Sequence, residues 1–455
     1  MTKQNIYKKT LLLSIPMIIQ SGIANAVVLA DNLMVGSLGT EKITGVSITG
    51  QLLFVFNLAV FGGVSGPGIY CAQYYGNGDK EGFQRVFRLK LWIALLITLF
   101  GSLLFIFRGP DLISLYLTGQ GGALDPAETL NQGLIYLNLM TAGLIPLALT
   151  QVYGSSMREM GESIAPMAAG VLSVFVDILL NYILIYGKFG FPRLEVKGAA
   201  LATVAARFVE FAFLIAFRRL KADRYPFLDG VYRTILIPVR EMRPVIKKSI
   251  PIFLNEFFWA AGMAALAQCY SIRGLSVVAG LNIANVICNL FNTVFVSMGS
   301  AVGIIEGQFL GASRFEEARD SAMKLTWFNG GICIILTAIL IAISGLFPRA
   351  YNTSNEVRTL ATWFIVLISA FFPLEGLLNS LYFIIRSGGR TLITFLFDSV
   401  FTWCISVPLA FVLCSYSSLH IFTVLIIVQA ANIIKVTVGM IMVKKGLWIT
   451  NLVAN

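Results

Sequence analysis

Charged residues are scarce in this sequence. Of its 455 residues, 13% are Asp, Glu, Lys or Arg, whereas soluble globular proteins carry about 25%. Hydrophobic residues make up 57% of the chain, and the mean hydropathy is +0.80. This composition predicts an integral membrane protein.

Residues that build metal or redox centres are few and scattered. The single histidine, His420, lies near the start of the last apolar run, and the six cysteines show no Cys-x-x-Cys spacing. The dipeptide Gly187-Lys188 stands outside any Walker A pattern, so ATP-driven pumping is unsupported. We therefore expect no enzyme activity and no cofactor.

Apolar runs recur along the whole chain. A helix of about 20 apolar residues crosses a hydrocarbon core of roughly 30 Å. About twelve runs reach this length: 10–36, 47–70, 91–107, 131–154, 164–187, 198–217, 249–272, 278–304, 325–347, 359–384, 391–413 and 419–442. They are too long and too evenly apolar for the alternating strands of a membrane barrel. The predicted fold is all-α, with twelve transmembrane helices.

Basic residues are concentrated in alternate connections between these runs. Under the positive-inside rule, the side richer in Lys and Arg is cytoplasmic. This rule places both termini and the connection 218–248 in the cytoplasm. The chain is expected to be a multi-pass protein of the plasma (inner) membrane. The net charge of +11 is therefore a topology signal and does not predict nucleic-acid binding. The expected partner is the lipid bilayer, and the expected oligomeric state is a monomer.

The sequence contains an internal repeat. Ser14-Ile15-Pro16 recurs as Ser249-Ile250-Pro251, 235 residues later. The same offset pairs Gln73 with Gln308 and Gly76 with Gly311. Each copy holds six runs, an even number, so both copies enter the membrane from the same side. A pseudo-two-fold axis along the membrane normal is expected to relate them.

The repeat predicts the domain organisation. An N-terminal lobe is expected at 1–217 and a C-terminal lobe at 249–455, each with six transmembrane helices. The basic segment 218–248 is predicted to be the inter-lobe linker. Two rocking lobes around a central site are typical of transporters.

Several carboxyl groups lie inside the predicted spans. Asp31 is in the first span, and Asp177 and Asn181 are one turn apart on the fifth. Glu256 is in the seventh span and Glu375 in the tenth. An ionisable group in a span costs about 2.5–3.5 kcal/mol and usually marks a polar interior or an ion path. We predict that these five residues bind or couple a cation, with packing between helices as the alternative.

The chemistry of these groups limits the kinds of cation that can bind to them. Carboxylate and amide oxygens suit a hard cation such as Na⁺, and a carboxylate also binds a proton. The sequence does not choose between the two ions. A further carboxyl group, Glu306, lies near the end of the eighth span and is expected to pair with a nearby Arg.

Asparagines form a stripe along the eighth span. Their spacings of 3, 4 and 3 place them on one helix face: Asn282, Asn285, Asn289 and Asn292. Four amides facing lipid would be costly, so the stripe is expected to face protein or water. We assign it to a substrate cavity, together with Asn379 and Phe371 of the tenth span.

Several motifs point to one family. The run from Asp31 to Gly39 reads DNLMVGSLG, and the repeated QYYG and QFLG begin at Gln73 and Gln308. Further motifs are 198–203 and the turns Arg158/Gly161 and Arg386/Gly389. Together they resemble the multidrug and toxic compound extrusion (MATE) family, NorM-like branch.

The resemblance implies two six-helix lobes around a V-shaped cavity. It also implies a multidrug efflux antiporter, which exports cationic or amphiphilic compounds in exchange for Na⁺ or H⁺. Asp31 matches the family's first-lobe carboxylate, and Glu256 and Glu375 match the second-lobe cation pair, where Na⁺ would bind. Glu375 and Phe371 stand where relatives usually carry Asp and often Tyr.

Three other functions fit this sequence less well. A lipid-linked oligosaccharide flippase of related fold would need basic residues for its anionic substrate, and the predicted spans contain only Arg207 and Lys435. A membrane-embedded enzyme would need a group of catalytic residues near the membrane interface. The single histidine and the lack of a metal-binding motif argue against one. A channel fits poorly with two unequal acidic clusters.

Overall fold

The computed structural model describes residues 6–117, 125–234, 236–351 and 353–454, and all regular structure in these ranges is helical. The α-helices are α1 (Ile6–Gly36), α2 (Thr40–Asn77), α3 (Lys80–Leu117), α4 (Pro126–Ala142), α5 (Leu144–Glu159), α6 (Ile164–Tyr186), α7 (Glu195–Leu220), α8 (Val239–Ser271), α9 (Leu275–Gly311), α10 (Phe315–Ile343), α11 (Asn355–Ala370), α12 (Phe372–Ser387), α13 (Thr391–Phe395), α14 (Val407–Tyr416), α15 (Ile421–Ala430) and α16 (Asn432–Lys444). The predicted all-helical fold is confirmed.

The number of candidate membrane spans also agrees with the number predicted from the sequence. In the described residues, ten continuous helical stretches are long and apolar enough to cross a membrane, and two bent pairs raise the number to twelve. The bends measure 48° between α4 and α5 and 46° between α11 and α12. Gly143 and Phe371 occupy the breaks, and Pro146 and Pro373 follow them. Proline lacks the amide hydrogen that would continue the helix, which explains both bends.

Packing divides the chain into two compact units. Unit 1 comprises the described parts of Met1–Ile18, Ile69–Asp79 and Arg243–Asn455, and unit 2 comprises those of Ile19–Gly68 and Lys80–Met242. The lobes at 1–217 and 249–455 remain a prediction.

Unit 2 contains a buried ion pair. Lys90 lies on α3 rather than in the preceding connection, and its side chain is 0% exposed. Its Nζ donates to both carboxylate oxygens of Glu159, at 2.7 and 2.5 Å, and to the hydroxyls of Ser155 and Ser156. A Cβ on Gly68 would lie 2.3 Å from Glu159 Oε1, so α2 closes over the pair. A buried pair of charges persists only with such complete hydrogen bonding.

The start of α3 also holds the segment that follows α7. Gln84 Nε2 donates to the Asp229 carbonyl at 2.7 Å, and Arg88 Nε donates to the Val231 carbonyl at 2.8 Å. Tyr225 is buried in the same segment, and its burial raises the pKa of its hydroxyl to about 12. This part of the predicted linker is therefore packed within unit 2.

Unit 1 has its apolar core between α9, α10, α11, α14 and α15, around Phe295, Phe364 and Val424. At one end of this unit, the last turns of α2 cross α9. A Cβ on Gly76 would lie 2.1 Å from the Gln308 carbonyl oxygen, and a Cβ on Gly311 would lie 1.9 Å from that of Gln73.

The crossing joins residues that the repeat pairs. Gly76 and Gly311, and Gln73 and Gln308, each differ by the 235-residue offset. Each motif therefore supplies the glycine that the carbonyl of the other motif requires. The side chain of Gln73 also binds the chain end, since its Oε1 accepts from the Leu452 amide at 2.7 Å.

We predict that Gly311→Ala lowers the free energy of unfolding by about 1–3 kcal/mol, because the added methyl group meets backbone that has little room to move. Thermal unfolding in detergent measures the change. The control is Gly331→Ala on α10, where a Cβ meets nothing within 4 Å and alanine favours the helix. Equal stability of the two variants would contradict the crossing.

Candidate functional site

The first acidic cluster joins α1 and α6. Asp177 and Asn181 lie one turn apart on α6 and are 4% and 1% exposed. Asn181 Nδ2 donates to Asp31 Oδ1 at 2.8 Å and to Asp177 Oδ2 at 3.3 Å. One amide therefore bridges two carboxyl groups. The structure brings together the three site residues that were predicted in the N-terminal copy of the repeat.

This cluster has more acceptors than donors. Asp177 Oδ1 and Asn181 Oδ1 are buried and accept no hydrogen bond. Arg207, on α7, is the nearby cation that acts on both carboxyl groups. Two carboxylates so close repel each other, and a proton or a small cation between them relieves this repulsion.

The second acidic cluster is centred on Asp398. Asn255 Nδ2 donates to Asp398 Oδ2 at 3.1 Å and to the Tyr382 hydroxyl at 3.2 Å. Lys435 Nζ lies 3.4 Å from Asp398 Oδ1, and its side chain is 6% exposed. Ser399 Oγ donates to Asn255 Oδ1 at 2.7 Å, which fixes the orientation of the amide.

Glu256 and Glu375 both lie close enough to Asp398 to feel its charge. Glu375 Oε1 accepts from Asn432 Nδ2 at 3.0 Å, and Lys435 and Asp398 act on its charge. Glu256 is influenced by Arg386 and by Asp398. The two predicted cation ligands thus share Asp398 as a neighbour.

The predicted cavity residues are distributed differently. Asn282, Asn285 and Asn289 are exposed on one face of α9, and Asn292 is half-buried. Asn379 donates to the Glu375 carbonyl at 2.9 Å, within α12. Phe371 occupies the break between α11 and α12. The assignment of these six residues to a substrate cavity remains a prediction.

Within the described ranges, no three His, Cys, Asp or Glu side chains come together as a metal site. A cation at Glu256 and Glu375 would therefore need amide or backbone oxygens as well, and such hard oxygen donors suit Na⁺. A Na⁺ ion there remains a prediction.

Asp398 and Lys435 are not among the site residues predicted from the sequence. Both are isolated charges on the last two spans, and opposite charges in apolar helices usually pair. The backbone gives a second signal, because π-helical turns occupy Leu396–Val400 and Thr402–Ser406. Pro408 cannot donate to the preceding turn, which favours such irregular turns, and π turns are frequent at functional sites.

Twelve candidate spans, an internal repeat and acidic groups within the spans define a multi-pass membrane transporter. More specifically, the chain belongs to the MatE family, whose model matches residues 16–183 and 251–412. The two matched segments fall in the two copies of the repeat.

Relatives of similar length support this assignment. "Probable multidrug resistance protein NorM" from Thermotoga maritima is 22% identical, over 97% of this chain and 93% of the relative. "Probable multidrug resistance protein YoeA" from Bacillus subtilis is 23% identical, over 93% and 90%. The solved structure described as "Outward-facing conformation of a multidrug resistance MATE family transporter of the MOP superfamily" shares the fold. Its TM-score is 0.84 at 22% identity, over 97% of this chain and 96% of that one.

We predict that Asp398→Asn lowers the free energy of unfolding by about 3 kcal/mol, because it removes the carboxylate that forms an ion pair with the buried Lys435. Adding Lys435→Met should recover most of this loss. Chemical or thermal unfolding in detergent, arranged as a double-mutant cycle, measures both effects.

The control is Asp320→Asn, which breaks the exposed Lys324–Asp320 pair and should cost at most about 1 kcal/mol. If Asp398→Asn costs no more than this control, Asp398 does not hold Lys435.

Proposed function

We propose that this protein is a secondary active multidrug efflux transporter, which exports small cationic or amphiphilic compounds in exchange for Na⁺ or H⁺. The observation that carries the proposal is the amide of Asn181 bridging Asp31 and Asp177 inside membrane-spanning helices. The proposal also draws on the relatives, which are named multidrug resistance proteins.

The charge of the first cluster suggests the exchange step. Two carboxyl groups face one nearby guanidinium, so the cluster favours gaining positive charge. A proton, a Na⁺ ion or the positive group of a substrate can supply that charge. If binding of one lowers the affinity for another, the two are linked reciprocally. A membrane potential contributes about 2.3 kcal/mol per charge per 100 mV to such exchange.

The second cluster supports a coupling role for Glu256 and Glu375. Asp398 is largely neutralised by Lys435, whereas Glu375 receives a hydrogen bond from the neutral amide of Asn432. We propose that Glu375 and Glu256 take up the coupling ion. We propose further that the asparagine stripe on α9 and Phe371 contact the substrate.

The proposed setting is the plasma (inner) membrane, with both termini cytoplasmic. The distribution of Lys and Arg between alternate connections supports this orientation. We propose a monomer of two six-helix lobes, because each repeat copy carries its own acidic cluster.

A flippase for anionic lipid-linked sugars is not favoured. Such a substrate needs basic groups that are available to it, but the buried lysines already have acidic partners. Lys90 pairs with Glu159, and Lys435 with Asp398. Arg207 lies beside Asp31 and Asp177.

We predict that Asp31→Asn and Glu256→Gln each slow gradient-driven efflux at least about tenfold, equivalent to about 1.4 kcal/mol. Each change removes a charge that the exchanged cation requires. The assay follows a fluorescent cation such as ethidium in proteoliposomes under imposed Na⁺ or proton gradients.

Glu316→Gln is the matched control, because Glu316 is exposed at the start of α10. It should transport at the wild-type rate. Unchanged gradient-driven efflux in both Asp31→Asn and Glu256→Gln would end the proposal that these carboxylates couple transport.

A further inference from the structure

The buried carboxyl group of Glu306 belongs to neither acidic cluster. Glu306 lies five residues before the end of α9 and is 0% exposed. The expected pairing with an Arg is wrong, because in the described residues Glu306 forms no salt bridge. Its Oε1 lies 2.6 Å from Ser321 Oγ on α10, and its Oε2 is buried and accepts no hydrogen bond.

The contacts of the Ser321 hydroxyl indicate the protonation state of Glu306. Ser321 Oγ lies 2.6 Å from Glu306 Oε1 and 3.1 Å from the Ala318 carbonyl oxygen, but it carries one hydrogen. If Glu306 is ionised, that hydrogen serves only one of the two acceptors. If Glu306 carries a proton, its O–H donates to Ser321 Oγ, and the Ser321 hydroxyl donates to Ala318.

The unpartnered oxygen favours the same protonation state. A buried carboxylate spreads its charge over both oxygens, and a bare Oε2 would leave half of that charge without a hydrogen bond. This arrangement costs far more than a neutral carbonyl oxygen without a partner. The contacts of Glu306 therefore fit a carboxylic acid better than a carboxylate.

Few charged side chains surround Glu306 among the described residues. Lys9, on α1, is the charged side chain that acts on Glu306 among the described residues. Its Nζ donates to Gln308 Oε1 at 3.0 Å, and Arg314 repels it. From α12 and the end of α2, the neighbours of the adjacent Gly307 are the uncharged Ser387 and Ala72.

We infer that Glu306 is a proton-binding site, occupied in this conformation and separate from the two acidic clusters. When the proton leaves, it passes to water and leaves a carboxylate, which Lys9 is placed to neutralise. Because this conformation holds the proton, lower pH favours it over any conformation in which Glu306 is ionised. The inference does not depend on which ion is exchanged at Asp31 or Glu256.

Infrared difference spectroscopy of the purified protein at pH 7 tests the inference. The wild type minus Glu306→Gln spectrum should contain a carboxylic-acid C=O band. In Ser321→Ala the same band should persist and shift to higher frequency, since the acid loses its hydrogen-bond acceptor. Loss of carboxylate bands in Glu306→Gln, with no acid band lost, would overturn the inference.

The thermal unfolding temperature gives an independent test that does not rely on infrared spectra. Gln mimics a protonated Glu, so Glu306→Gln should unfold within about 2 °C of wild type at pH 7, a change of less than about 1 kcal/mol. Lys9→Met should leave the acid band in place. If Glu306 is ionised and held by Lys9, both variants should instead unfold at clearly lower temperature and the acid band should be absent. Glu316→Gln, on the exposed face of α10, is the control for both measurements.

Discussion

Hydrocarbon offers no hydrogen bonds, so every polar group in these spans must find its partner within the protein. Some groups meet this demand fully. Lys90 is surrounded by the two oxygens of Glu159 and two serine hydroxyls, and Lys435 has Asp398. Others do not, since Asp177, Asn181 and Glu306 each keep a buried oxygen without a hydrogen bond. The first kind holds helices together, and the second kind is where we propose that an exchangeable proton or cation binds.

The internal repeat has a physical consequence at the crossing of α2 and α9. The same short motif, with a glutamine and a glycine three residues later, occurs at Gln73 and Gln308. Each copy provides a carbonyl oxygen and receives the other copy's carbonyl in the space where a Cβ would stand. A duplicated sequence therefore forms a reciprocal backbone contact, which only glycine allows at both positions.

Much of the fold and part of the site could be predicted from the sequence. Hydropathy located the spans because a membrane helix needs an unbroken apolar run, and the one-turn spacing of Asp177 and Asn181 placed them on one face. The partners of Glu306, Lys90 and Asp398 could not be predicted, because each partner lies on another helix. Burial and pairing of this kind depend on tertiary packing, which periodicity does not encode. The π turns around Asp398 were likewise invisible, since only Pro408 hinted at them.

We propose that buried carboxyl groups exchange a proton or Na⁺ for a cationic substrate. Calorimetric binding of tetraphenylphosphonium to the detergent-purified protein tests it directly, in buffers that differ in protonation enthalpy and with Na⁺ present or absent. We expect that binding displaces protons or is weakened by Na⁺, and that Asp31→Asn reduces the effect. Binding that releases no proton and is indifferent to Na⁺ would contradict it.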